Sequence, residues 1–156
     1  MESVYPETTF MSYLASRPSR DLLVAAHQQI THDWWASRRK SFDCYVSQIV
    51  IDEVSAGDPE ESERRMEMIN TFPVLEVTEK AEFLTKAILA SGAIPPRAVR
   101  DAAHTAVTAV HDVDYVLTWN CTHLANAQVI RRISVVCNRE GYNMPTICTP
   151  EELMGG

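Results

Sequence analysis

Short runs rich in aromatic and β-branched residues recur along this chain, and all but the last are followed by a segment of helical periodicity. That alternation constrains the fold more than any other feature. Parallel strands need a long crossover between them, and the usual crossover is a helix. The strand-like runs are residues 2–6, 42–47 (FDCYVS), 73–77 (PVLEV), 114–118 (DYVLT) and 146–148. Helices are expected over 8–16, 20–40, 48–56, 59–70, 78–91, 97–111 and 126–139. Ser19 and Thr78 read as N-caps, Pro59 suits a first turn, and Gly57 and Gly141 read as stops. In the long second helix Leu22, Leu23, Ala26, Ile30 and Trp34 fall near one face. The expectation is an α/β fold, a mainly parallel central sheet flanked by helices, in a single domain over residues 1–156.

Several chemistries common on such sheets lack their residues here. The five glycines, at 57, 92, 141, 155 and 156, make no phosphate-cradling loop. No G-x-S-x-G nucleophile elbow exists. Cys44, Cys121, Cys137 and Cys148 form no C-x-x-C and are expected as free thiols. No apolar stretch approaches the roughly 18 residues of a membrane span, and no secretory signal is visible, so a cytoplasmic location is expected. The net charge of −7 argues against a surface that coats nucleic acid. It does not argue against a nuclease, because acids gathered around a metal are neutralised locally.

What remains is acidic. Ligands of open α/β sheets sit beyond the carboxyl ends of the strands. Glu7 follows the first strand there, Glu53 lies in the helix after the second, and Asp101 stands early in the helix before DYVLT. Asn120 closes VLTWN. Hard oxygen donors spread over several elements suit Mg2+ or Mn2+. Each position also has a plainer reading. Glu7 can cap a helix, Glu53 can be a solvated helical acid, and Asn120 can form a turn. Asp101 shares a stripe with Thr105, Thr108 and Asp112, opposite the apolar face of its helix, and such a stripe is commonly wet.

Five segments together resemble the PIN domain, and more narrowly the VapC-type ribonuclease toxins of bacterial toxin–antitoxin pairs. They are YPETTF, SRDLLVAAHQQITHDWW, YVSQIVIDEVSAGDP, RDAAHTAVTAVHDVDYVLTWNCTHLANA and ICTPEEL. The specific part is D-A-A-H, then a strand ending L-T-W-N, then H-L-A-N. The resemblance spans nearly the whole chain. It implies a small three-layer fold whose acids converge at the carboxyl edge of a parallel sheet. The implied catalytic set is Glu7, Glu53, Asp101 and Asn120, acting with Mg2+ or Mn2+. It also implies an RNA substrate, a small antitoxin partner and a homodimer. Two departures stand out: the first acid is usually Asp and here is Glu7, and the fourth position is often Asp and here is Asn120.

Such a site supports phosphodiester hydrolysis. Glu7 and Asp101 are expected as direct ligands, with Glu53 acting directly, through water, or on the attacking water. Thr8 and Thr118 are placed to orient carboxylates by hydrogen bonds. His104, three positions after Asp101, can share its cleft as a phosphate contact or proton carrier, or simply pack. Arg17 and Arg20 can hold RNA phosphate or sit in a solvated loop. Trp34, Trp35 and Trp119 can stack bases or pack. The rival reading is a PIN-fold binding module without activity, which Glu7 and Asn120 favour.

Overall fold

The computed structural model describes residues 1–155. In chain order its elements are β1 (Ser3–Pro6), α1 (Thr8–Ala15), α2 (Leu22–Arg38), β2 (Asp43–Cys44), β3 (Val46–Ser47), α3 (Gln48–Val54), α4 (Pro59–Ile69), β4 (Val74–Leu75), α5 (Glu79–Ala90), α6 (Val99–Val110), β5 (Tyr115–Leu117), α7 (Ala127–Arg139) and β6 (Thr146–Cys148). A four-stranded sheet has the order β2-β1-β5-β6, and β3 pairs with β4 in a second, two-stranded sheet. Every pairing is parallel. Helices flank the sheet, so the chain adopts the layered α/β architecture that its alternation implies. No helix among the described residues is long and apolar enough to cross a membrane.

Register sets the site. Tyr5 lies beside Val116 and Pro6 beside Leu117, so β1 and β5 end level with one another. Pro6 has no N–H to continue the ladder and stands at the last position of its strand, where it does least harm. The next N–H, that of Glu7, bonds Leu117 O at 2.9 Å, and that of Thr118 bonds Cys148 O at 3.0 Å. Glu7 and Thr118 therefore emerge side by side at the carboxyl edge.

Two apolar cores hold the layers. One joins the sheet to α1–α4 through Tyr5, Phe10, Trp34, Val50, Val116 and Leu117. The other joins α5, α6 and α7 through Leu84, Ile88, Ala102, Ala106 and Ile133. Each fully buried Leu or Ile contributes about 1.5–3 kcal/mol by leaving water. The alanines of α6 let its neighbours approach closely.

Four local expectations are corrected. FDCYVS is not one strand: the chain changes sheets at Tyr45, whose N–H bonds Val4 O while the next N–H bonds Pro73 O. The cap of α2 is Asp21, which accepts from Val24 N–H at 3.0 Å; Ser19 instead accepts from Asp21 N–H. The buried face of α2 carries Gln28, Thr31 and Trp34, whereas Leu22 and Leu23 are 87% and 67% exposed. Gln28 is drawn inward by the Ser16 hydroxyl, Arg17 O and Ser19 N–H. Finally, the stripe on α6 is not wet at its centre. Thr105 and Thr108 are fully buried, and Thr108 Oγ1 is satisfied by donating to His104 O at 2.8 Å.

Candidate functional site

Glu7 caps α1 and also faces a cleft of about 280 Å³. Its Oε2 accepts three hydrogen bonds, from Thr9 N–H (3.1 Å), the Thr9 hydroxyl (2.6 Å) and the Thr118 hydroxyl (2.7 Å). Its side chain is only 3% exposed, and Oε1 makes no hydrogen bond. Oε1 lies instead 3.9 Å from His104 Nε2.

The other acids arrive from α3 and α6. Glu53 Oε1 accepts from the Thr8 hydroxyl at 2.8 Å and lies 2.6 Å from His104 Nε2. Thr8 and Thr118 thus make the carboxylate hydrogen bonds expected of them. Asp101 lines the same cleft, and its Oδ2 is 2.9 Å from His123 Nδ1. Asn120 borders the cleft, but its Oδ1 accepts from the N–H groups of Thr122 and His123, the turn-forming role.

His104 lies beneath the acids rather than among the cleft's lining residues. It is completely buried. Its Nδ1 is 2.7 Å from the Tyr5 hydroxyl, which is in turn 2.7 Å from the Ser47 hydroxyl. Nε2 is 3.9 Å from Glu7 Oε1. One donor atom each from Glu7, Glu53 and His104 therefore falls within 4.8 Å of the others, a spacing that could hold a metal ion. Burial alone would lower the His104 pKa. The Glu53 hydrogen bond and the carboxylates of Glu7, Glu53 and Asp101 outweigh it and hold the imidazole above its ordinary value. Burial would likewise raise Glu53, but its bonds to His104 and Thr8 hold it below the usual carboxylate value. Burial pushes the Tyr5 phenol far up, so it stays protonated.

The cleft wall opposite is aromatic. Trp119 and Tyr13 line it. The Trp119 ring stacks on His27 at 4.1 Å and 14°, and its Nε1–H donates to the Thr31 hydroxyl at 2.7 Å. Its backbone N–H donates to Thr9 Oγ1 at 2.9 Å, the hydroxyl that also binds Glu7. Trp34 is core and donates to Leu153 O, and Trp35 packs against Phe10 and Phe72. Arg17 and Arg20 are exposed and do not line this cleft; Arg17 reaches Glu60 at 3.4 Å.

Thr9, Tyr5, Ser47 and His123 carry no assigned role in the sequence reading. His123 is the first letter of H-L-A-N, so a signal existed. Tyr5 and Ser47 sit at strand positions that read as packing, and only the fold shows their hydroxyls meeting His104. No family model and no curated protein matches this sequence.

Proposed function

We propose that this chain is a metal-dependent endoribonuclease of PIN type, acting as the toxin of a toxin–antitoxin pair in the cytoplasm. The observation that carries this reading is Glu7 Oε1, free of hydrogen bonds on a buried side chain at the carboxyl edge of a parallel sheet, with Glu53 and Asp101 on the same cleft. Glu7, Glu53 and Asp101 are the residues that would hold Mg2+ or Mn2+. The donor set fits such an ion, being hard, anionic and fixed by hydroxyls. When bound, the ion supplies polarisation of a phosphate oxygen and a water that ionises near neutral pH. The chain's own groups do the rest. Thr9 and Thr118 fix the Glu7 rotamer, Thr8 fixes Glu53, and His123 sets the direction of the Asp101 carboxylate. Trp119 and Tyr13 bound one side of the strand's path.

The test is cleavage of RNA by the purified protein with Mg2+ or Mn2+. Chelator is expected to stop it, and Asp101→Asn is expected to lower it at least 100-fold, about 2.7 kcal/mol of transition-state stabilisation, with folding intact. Equal cleavage by the variant would overturn the assignment. Coexpression with a small antitoxin, and a homodimer in solution, belong to the same reading. The second reading is a PIN-fold module that binds RNA or protein without cutting. The specific observation in its favour is Asn120, whose amide oxygen is turned into its own loop. Binding without cleavage under both ions selects it.

A further inference from the structure

We infer that His104 is itself a metal ligand, making a mixed Glu7–Glu53–His104 centre that favours Mn2+ and other imidazole-accepting divalent ions over Mg2+. This rests on the metal-binding part of the proposed function, but not on RNA being the substrate. Two independent observations meet here. Glu7 Oε1 accepts no hydrogen bond, on a side chain nearly excluded from water. His104 Nε2 stands 3.9 Å from that atom and 2.6 Å from Glu53 Oε1, so three donors surround one point. Donors on a common small ion, each about 2.1 Å from it, are separated by about 3 Å at right angles. The two His104 spacings, 2.6 Å to Glu53 and 3.9 Å to Glu7, lie on either side of that value, and all three donors fall within 4.8 Å.

The rest of the imidazole is arranged as a ligand's would be. A metal-bound histidine donates its second ring N–H to a fixed acceptor. The Tyr5 oxygen lies 2.7 Å from Nδ1, and the Tyr5 hydroxyl hydrogen has the Ser47 oxygen to go to, also at 2.7 Å. When the ion binds, it replaces the hydrogen that Nε2 shares with Glu53, and that proton leaves to solvent. Asp101 is engaged by His123 at 2.9 Å and stands outside the three-donor group, so it would join the ion as an additional oxygen ligand whose loss leaves the nitrogen donor in place. Nitrogen donors suit Mn2+, Fe2+ or Zn2+, whereas Mg2+ prefers oxygen and retains its waters.

The deciding measurement is pulsed electron paramagnetic resonance on the wild-type full chain loaded with one equivalent of Mn2+. Modulation from a directly coordinated 14N is expected. It should persist in Asp101→Asn and disappear in His104→Gln. Tyr5→Phe, which keeps the ring and removes the link, should keep the nitrogen signal and weaken Mn2+ binding about 10-fold. Mg2+ should displace Mn2+ only at large excess. Bound Mn2+ without nitrogen modulation overturns the inference and leaves an all-oxygen metal site standing. Failure to bind Mn2+ overturns both. The wild-type spectrum decides the question even where His104→Gln does not fold.

Discussion

Glu7 does two things with one carboxylate. Oε2 closes the start of α1 and accepts two further hydroxyls, while Oε1 stays free at the cleft. Thr118→Val keeps the shape of the buried hydroxyl residue and removes one charge-assisted bond. It is expected to cost about 1.5–3 kcal/mol, read from urea unfolding in chelator. The cysteines separate by burial in the same residue-level way. Cys121 is exposed, and burial pushes Cys137 up to about 11 and Cys148 up to about 12. An unfolded thiol ionises near about 8.5. The folded chain therefore keeps protons that the unfolded chain has released. Stability is intact below about pH 8.5 and falls as pH rises from there toward the folded values. Urea midpoints from pH 8 to 10 should show this slope, and Cys137→Ala with Cys148→Ala should lessen it, while Cys44, also pushed up to about 11 by burial, keeps part of it. Alkylation of the native protein at pH 8 should mark Cys121 first. Of the site, the acids were legible in the sequence because position after a strand is a sequence property. The Tyr5–Ser47 link was not, because those residues are 42 apart and belong to strands of two different sheets.

At the scale of elements, α2 shows why a helical face can be misread. Its apolar residues near the start suggest burial, yet polar partners decide which side turns inward: Gln28 binds the α1–α2 connection, and Thr31 binds the Trp119 indole. Leu22→Ser and Leu23→Ser are therefore expected to change stability by less than about 0.5 kcal/mol. Thermal or urea midpoints check this, and a loss near that of a core leucine would contradict the packing. The opposite error arises at α6. Thr105 and Thr108 read as a wet stripe because threonine can satisfy its hydroxyl on its own helix, which makes it tolerable in a core where a charge is not. FDCYVS read as one strand because periodicity reports pleat, not partner. Its two halves keep the extended backbone and pair with different neighbours.

For the whole molecule, the fold brings Glu7, Glu53 and Asp101 to one cleft; alternation pointed to the carboxyl edge, but each acid alone also had a plainer reading, and the resemblance across the five segments is what grouped them. A divalent ion that binds only the folded state must stabilise it. Mn2+ at a hundredfold excess over its dissociation constant should add about 2.7 kcal/mol. The increment appears as a rise in melting temperature and should shrink in Glu7→Gln. No rise with either Mn2+ or Mg2+ would count against the proposed enzyme at its first step.

The Thr9 hydroxyl grips the acid at the floor of the cleft and the backbone of the indole on its wall. One hydroxyl thus joins the segment that carries the acid to the segment that carries the indole.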